Sequence, residues 1–274
     1  MRELISQMLK ERGISLCAPL SLSDCSIQKP YLLQREGIPA DGTAFLFAVP
    51  YYTAFCEDPA RNISAYAVSA DYHLFFRQLF DEILPILRAR FPQHRFAGFT
   101  DHSPIAEVEA AVRAGLGVLG CNHLLLTKAY SSYVFIGEIL TDAKTDAPAG
   151  PLHRCTACGA CHSACPVSLG EDCLSALTQK KGELDERERE ALLAHGMVWG
   201  CDRCQERCPV TLSAKQSGSI YTNIRFFTDT ALPHLTADTV ETMTEEAFAA
   251  RAYSWRGRQV ILRNLKLLQK GERS

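Results

Sequence analysis

The residues best suited to chemistry are cysteines in two runs that share one spacing. CTACGACHSACP occupies residues 155–166 and CDRCQERCP occupies residues 201–209. Both contain C-x2-C-x3-C-P, and an extra cysteine at the start of the first gives C-x2-C-x2-C-x3-C-P. That longer run is typical of bacterial ferredoxins, in which three cysteines bind one [4Fe-4S] cluster and the cysteine before proline binds a second. The repeat therefore predicts two [4Fe-4S] clusters.

The spacing also assigns ligands, because three closely spaced cysteines can wrap three corners of a cubane while the cysteine before proline points away. The predicted ligands of the first cluster are Cys155, Cys158, Cys161 and Cys208. Those of the second are Cys165, Cys201, Cys204 and one more, for which Cys173 is the nearest unassigned candidate. Paired C-x2-C motifs also bind zinc through four thiolates. Zinc gives no reason for a proline after the last cysteine of both runs, so iron–sulfur is preferred.

The composition is that of a globular protein with no overall attraction to nucleic acid. Of the 274 residues, 47% are hydrophobic and 22% are charged, and the formal net charge is −2. Phosphate binding depends on concentrated Lys and Arg, so it would need a local basic patch. The charged start MRELISQMLKERG has no apolar signal-peptide core, and the apolar stretches are too short for a membrane. We therefore expect a cytoplasmic protein whose thiols stay reduced.

Hydrophobic periodicity before residue 141 predicts alternating helices and strands. Helices are expected at residues 1–12, 63–90 and 103–115, and strands at 43–52, 94–99 and 131–140. Ser103, followed by Pro104, fits the N-cap of the third helix. Pro85 is expected to kink or divide the second helix. This alternation favours an α/β or α+β layer.

The polar stretch TDAKTDAPAGP, residues 141–151, is interpreted as a linker. Beyond it, GELDERERE at 182–190 predicts a charged, solvated helix, and RGRQVILRNLKLLQK at 256–270 predicts an amphipathic one. The predicted fold class is therefore α+β. Its parts are an α/β-like domain over 1–145, a ferredoxin-like domain with two clusters over 146–214, and a short helical segment over 215–274. A simple electron carrier does not need the first domain, which we expect to hold a second redox centre or a substrate.

Several segments, in order, resemble one enzyme family. They are AYAVSADYH, FTDHSPIAEVEAAVRAGLGVLGCNHLLL, SSYVFIGEILTD, the two cysteine runs, EDCLSALT between those runs, and RGRQVILRN. Together they cover roughly residues 43–270 and look like the epoxyqueuosine reductases. These cobalamin- and iron–sulfur-dependent enzymes make the last step of queuosine synthesis in tRNA.

The resemblance implies a cofactor and a set of site residues. Cobalamin would bind in the first domain near one cluster, fed by a low-potential donor such as ferredoxin or flavodoxin. The acid that protonates the epoxide would be Asp101, in the D-x-x-P segment. The corrin would be lined by Ser64, Tyr66, Asp101, Gly120, Cys121 and Asn122. The expected partner is tRNA, and the expected state is a monomer.

Other interpretations of these residues stay open. Opening an epoxide leaves an alkoxide-like oxygen that a positioned acid would protonate, but an aspartate before a helix can also be a cap. Asp71-Tyr72-His73 begins like a D-x-H-x-x-G cobalt-binding motif, yet Phe76 replaces its glycine, so His73 is interpreted as an ordinary helix residue. Glycines 115, 117 and 120 suit either a backbone passing close to a flat macrocycle or a tight turn.

The chain departs from the family pattern in three places. Cys121 stands where relatives usually have lysine, and a thiol there could coordinate cobalt. Val210-Thr211 replace a common Trp-Asn, and the chain ends soon after RGRQVILRN, without the C-terminal helical repeats that help hold tRNA. Basic residues near the end could contact phosphates or form a solvated helix face. They are Arg251, Arg256, Arg258, Arg263, Lys266, Lys270 and Arg273.

Two rival functions follow from these departures. The first is a reductase with the same cofactors and another substrate, which the missing lysine and short tail favour. The second is an electron-transfer protein that has the clusters but binds no corrinoid. Cys17, Cys25 and Cys56 are expected to be small buried hydrophobic residues rather than ligands.

Overall fold

The structure, a computed structural model, describes residues 1–167 and 173–271. The strands are β1 (Leu16–Ser21), β2 (Thr43–Pro50), β3 (Phe96–Phe99), β4 (Val118–Leu119), β5 (Leu125–Leu126) and β6 (Val134–Thr141). The helices of the first half are α1 (Arg2–Lys10), α2 (Pro30–Glu36), α3 (Tyr72–Arg90) and α4 (Glu107–Arg113). Those of the cysteine region are α5 (Ala160–Ala164), α6 (Leu174–Thr178), α7 (Glu186–His195), α8 (Arg203–Glu206) and α9 (Pro209–Gln216). The last are α10 (Arg225–Asp229), α11 (Ala237–Thr242), α12 (Glu245–Ala249) and α13 (Arg258–Gly271).

The main sheet has four strands in the order β1-β2-β6-β3, and every neighbouring pair is antiparallel. This mixed helix and sheet architecture agrees with the predicted α+β class. Strand β2 is buried along its whole length, which explains its unbroken apolar sequence. Strand β1 and helix α2 were not predicted from the sequence, because β1 is short and only partly buried.

Helices cover both faces of this sheet. Successive side chains of a strand point to opposite faces, so Phe45 and Phe47 of β2 enter one core while Leu46 enters the other. The first core also contains Ile5 of α1 and Ile261 of α13. The C-terminal segment therefore packs in the same core as the start of the chain.

Helix α3 begins about nine residues later than predicted. Asp71 accepts the backbone N–H of His73 and caps the helix, while residues before it run in an irregular segment. That segment bonds to the cysteine region, since Ser64 N–H donates to Trp199 O at 2.7 Å. Pro85 does not divide α3, and its side chain lies on the exposed side.

Helix α4 also begins later than predicted, at Glu107, and Ser103 is not its N-cap. The Ser103 hydroxyl instead donates to Glu138 Oε2 at 2.6 Å inside the protein. A buried carboxyl competes better for this hydroxyl than a solvated helix end does. The charged helix α7 lies a few residues beyond its predicted position, because Asp185 and Glu188 form a capping box at its start.

No helix in the described part of the chain is both long enough and apolar enough to cross a bilayer.

Candidate functional site

A small cleft at the end of β3 contains Asp101, which has one partner in the cleft and another beside it. Asp101 has a left-handed backbone, with φ of 58°, and its side chain is 65% exposed. Its Oδ2 lies 3.7 Å from His73 Nε2, and the other ring nitrogen of His73 lies 2.8 Å from Asp71 Oδ1. These two carboxylates raise the pKa of His73 to about 9, Asp101 contributing most. The imidazolium in turn lowers the pKa of Asp101.

The second partner of Asp101 is the buried carboxyl of Glu107. The backbone N–H of Asp101 donates to Glu107 Oε2 at 3.2 Å. Burial, and then the charge of Asp101, raise the pKa of Glu107 to about 7. At neutral pH the proton next to Asp101 is therefore on His73, and Glu107 is partly protonated.

The cleft has a volume of about 130 Å³ and an apolar wall on the side away from Asp101. Tyr72 and Phe135 stack at 4.2 Å in this wall, and Tyr72 also stacks on the His73 ring. Leu124 and Leu125, from the β4–β5 hairpin, also line the cleft. The face of the His73 imidazole stacks on Tyr72, and its Nε2 lies toward Asp101.

The sequence did not predict that His73 lies beside Asp101. His73 is a residue of α3, as interpreted from the sequence, and Asp71 at the helix start pairs with it. The sequence interpretation compared this segment with a cobalt-binding motif that requires glycine at position 76. Phe76 is instead a core residue, only 1% exposed, on the buried face of α3. The pairing of His73 with Asp101 is independent of that motif.

The strand beneath the cleft contains another buried carboxyl, Glu138 of β6. Only one of its oxygens is hydrogen-bonded, to Ser103, and the other has no partner among the described residues. Burial raises the pKa of Glu138 to about 8, and Glu107 adds to the shift. Glu138 is therefore largely protonated at neutral pH.

This burial predicts that the protein loses stability as pH rises from about 5 to 8. An acid whose pKa is higher folded than unfolded stabilises the fold below its unfolded pKa, and that contribution disappears as it ionises. The Glu138→Gln variant should flatten this decline by a few kcal/mol, on the order of 1.4 kcal/mol per unit of pKa. Denaturant unfolding at pH 5 and pH 8 measures it, with the exposed Glu82→Gln as control. Equal slopes in the Glu138 variant and the wild type would contradict the burial argument.

Several of the cysteines predicted as cluster ligands lie near one another. Helix α5, in the first run, packs against α8, in the second. All twelve cysteines are free thiols. Burial raises the pKa of Cys204, and the charges of Cys173 and Cys165 raise it further. Burial also raises the pKa of Cys201, with smaller contributions from the charges of Cys173 and Cys204. These four residues are the predicted ligands of the second cluster.

The first set contains an unexpected member. The pKa of Cys121 is raised first by its hydrogen bond with Cys155, then by burial, and then by the charges of Cys161 and Cys158. This thiol therefore lies among the predicted ligands of the first cluster. Cys208, the expected fourth ligand, belongs to the second run and stands at the N-cap position of α9. No three potential ligands in the described ranges are grouped tightly enough for a single metal ion. Thiols spread more widely suit a cubane, in which each sulfur binds a different iron.

The β4–β5 hairpin connects the cleft to both cysteine sets. Its turn places Cys121 Sγ 3.6 Å from Cys155 Sγ, and Asn122 Nδ2 3.9 Å from Cys204 Sγ. A Cβ on Gly120 would meet Asn122 Oδ1 at 2.3 Å, and one on Gly117 would meet Leu126 O at 2.4 Å. The hairpin itself therefore requires these two glycines.

Ser64 and Tyr66, predicted to line the corrin, use their hydroxyls within the protein. Ser64 donates to Asp202 Oδ1 at 2.6 Å, and the Tyr66 oxygen accepts from Trp199 Nε1 at 2.6 Å. Asp202 also accepts from Arg61 at 2.7 Å, in an ion pair whose side chains are 10% and 1% exposed. Sequence reasoning missed Asp202, which lies between Cys201 and Cys204. It holds this cysteine loop against the first half of the chain.

Three of the basic residues that could contact phosphates or form a solvated face donate to backbone carbonyls. The donors are Arg251, Arg258 and Arg263, and their acceptors include the carbonyl oxygens of Val68, Thr230, Met243, Lys180 and Gly182. Their guanidinium groups therefore bind other parts of this chain. Arg256 stacks on the exposed Trp255, and Lys266 is exposed. Arg273 and the side chain of Lys270 lie outside the described residues.

Comparison with the sequences of known proteins identifies the family of this chain. No protein-family model matches the chain. It is 35% identical to an epoxyqueuosine reductase of Listeria monocytogenes over 71% of this chain and 53% of that protein. It is 30% identical to one from Cyclobacterium marinum, over 76% of this chain and 71% of the relative. The chain belongs to the epoxyqueuosine reductase family, and it spans about half the length of the Listeria relative.

Solved structures share the fold. The Streptococcus thermophilus epoxyqueuosine reductase superposes over 100% of this chain and 82% of its own, with a TM-score of 0.72 and 21% identity. An epoxyqueuosine reductase crystallised with an epoxyqueuosine-modified tRNA-Tyr stem loop superposes over 98% of this chain and 80% of its own, with a TM-score of 0.71 and 22% identity.

Proposed function

We propose that the protein reduces epoxyqueuosine in tRNA to queuosine, using cobalamin supplied with electrons by two [4Fe-4S] clusters. The observation that carries this proposal is the β4–β5 hairpin. One side of it lines the cleft with Asp101 through Leu124 and Leu125, and its turn contacts a cysteine of each set. An acid for the substrate and a route for electrons therefore meet at one element.

The reaction consumes two electrons and two protons, because an epoxide becomes an alkene and its oxygen leaves as water. Two groups next to Asp101 can hold protons, namely His73, which is charged at neutral pH, and Glu107, which is partly protonated. Asp101 is exposed and its lowered pKa keeps it ionised, so it can relay a proton from His73 to the epoxide oxygen. His73, whose pKa is raised to about 9, stays charged at neutral pH and replaces that proton.

The donor groups fit iron–sulfur clusters. Cys165, Cys173, Cys201 and Cys204 would hold the second cluster, and Cys155, Cys158 and Cys161 with Cys208 the first. A cleft of about 130 Å³ is smaller than the ~300–1,000 Å³ of most ligand pockets, so cobalamin would lie across its open rim. Asp101, His73, Cys121 and Asn122 border that rim and the adjoining turn. Cobalamin would supply a reduced cobalt centre as electron donor to the substrate.

The partners of this proposal are tRNA, as in the relative with the bound stem loop, and a low-potential donor such as ferredoxin or flavodoxin. We also propose that the protein acts as a monomer. Among the described basic side chains near the chain end, Arg256 and Lys266 would meet phosphates, since Arg251, Arg258 and Arg263 donate to carbonyls. The site for tRNA would also include groups near Asp101, such as Lys29 and His102. Lys29 Nζ lies 3.2 Å from His102 Nδ1.

Cofactor loading separates this proposal from its rivals. Anaerobic reconstitution should give about eight irons and eight sulfides per chain, and titration with cob(II)alamin should change the cobalt EPR signal. Iron and sulfide without any response of the corrinoid would favour an electron-transfer protein. Both cofactors without queuosine formation would favour a reductase with another substrate.

A further inference from the structure

We propose that the Gly120–Asn122 turn sets the reduction potentials of both clusters, through the Cys121 thiol at one and the Asn122 amide at the other. The inference rests on the two clusters of the proposed function. Two consecutive residues contact cysteines of different sets, Cys155 and Cys204 respectively. Each would donate a hydrogen bond to the sulfur of a cluster ligand.

The turn is held rigidly in this position by its backbone. Leu119 pairs with the start of the first cysteine run, its N–H donating to His153 O at 2.8 Å and its carbonyl accepting from Cys155 N–H at 2.9 Å. Gly120 N–H closes the hairpin on Leu124 O at 2.9 Å. These bonds hold the backbone of Cys121 next to that of Cys155, and the two Sγ atoms lie 3.6 Å apart.

The direction of each hydrogen bond follows from ligand chemistry. A cysteine bound to iron is a thiolate, so the proton shared by Cys121 and Cys155 belongs to Cys121. The Asn122 amide is oriented by its oxygen, which accepts Leu124 N–H at 3.4 Å and leaves Nδ2 toward Cys204. Both contacts are therefore donors to ligand sulfur.

Such donors raise the potential of a cluster. Reduction adds negative charge to the cluster and its sulfurs, and a donated hydrogen bond stabilises that charge. Because each residue contacts one ligand, the two potentials can be set separately. Electrons passing between the clusters would then follow a gradient that this one turn determines.

A crossed pair of variants tests the inference by EPR-monitored redox titration. Cys121→Ala should lower the reduction potential of the first cluster by ~59 mV or more, which is a tenfold change in the equilibrium constant of a one-electron reduction. The potential of the second cluster should not change. Asn122→Ala should lower the potential of the second cluster and leave that of the first unchanged. Ligand variants Cys158→Ser and Cys201→Ser identify which signal belongs to which cluster.

Matched variants separate hydrogen bonding from folding. Cys121→Ser keeps a donor and should restore most of the lost potential. Asn122→Asp keeps the acceptor for Leu124 but loses the N–H donor, so it should lower the second potential. His123→Asn changes an exposed side chain of the same turn, at a positive φ that asparagine tolerates, and should change neither.

The outcomes are distinct. Clusters present with unmoved potentials, or both potentials moving alike in either variant, overturn this inference and leave the proposed function standing. A reconstituted chain without iron and sulfide overturns both.

Discussion

Asp101→Asn is expected to lower the rate of queuosine formation by ~10²–10⁴-fold, the usual range for losing a general acid. The amide cannot carry the proton between His73 and the substrate. It also weakens the largest single contribution to the raised pKa of His73, its hydrogen bond with the Asp101 carboxylate, so the imidazole would lose its proton nearer neutral pH. Single-turnover assays on epoxyqueuosine-containing tRNA measure the rate.

A second Asp–His pair in the chain provides the control. Asp142 Oδ1 lies 2.9 Å from His94 Nδ1, at the end of β6 and away from the cleft. Asp142→Asn should leave the rate unchanged. Both variants should retain iron, sulfide and bound corrinoid in wild-type amounts. An Asp101→Asn protein with full cofactor content and undiminished turnover would show that Asp101 is not part of the proton path.

Asp202→Asn is expected to lower the free energy of unfolding by about 3–5 kcal/mol, as removing one partner of a buried ion pair does. Asp202 is 3% exposed and accepts from Arg61, Ser64 and the backbone N–H of Ala65. An amide cannot accept all of these bonds, and it leaves the Arg61 guanidinium poorly neutralised in a buried position. Because Asp202 lies between Cys201 and Cys204, the loss should also lower iron content at the second cluster.

Denaturant unfolding of anaerobic preparations, followed by circular dichroism, measures this change. The midpoint should fall while the denaturant slope stays constant. Asp41→Asn is the control, since Asp41 pairs with Lys144 at the surface, where side chains are 53% and 73% exposed. Its midpoint should equal that of the wild type. An Asp202→Asn midpoint as high as the control would mean that the loop is held by other contacts.

The cysteine sets were predictable from sequence because ligand spacing is a local property. A C-x2-C-x2-C loop must bring its thiols together wherever the rest of the chain lies. The members joined across long distances in the chain needed the structure. Cys173 lies near Cys201 and Cys204, and its role as a cluster ligand stays a prediction. The approach of Cys121 to Cys155 depends on a backbone pairing between Leu119 and Arg154 that no local pattern indicates.

The surroundings of the candidate acid, Asp101, could not be predicted from the sequence. Asp101 was identified by a resemblance, yet its neighbours depend on how α3 and α4 pack against the sheet. Local preferences predicted Ser103 as the N-cap of a helix, but its hydroxyl donates to the buried carboxyl of Glu138 in β6. Arg258 was expected at a basic surface, but it binds carbonyls at the end of α11. In both cases tertiary packing determined the hydrogen-bond partner of the side chain. The reason is that leaving a buried polar group unpaired costs more free energy than a local structural preference contributes.

Mass spectrometry of nucleosides from epoxyqueuosine-containing tRNA tests the proposed function most directly, after anaerobic incubation with the reconstituted protein, cobalamin and a low-potential reductant. We expect queuosine to appear, to require cobalamin, and to be lost with Asp101→Asn but not with Asp142→Asn. Absence of queuosine from a preparation that contains both clusters and bound corrinoid would contradict it.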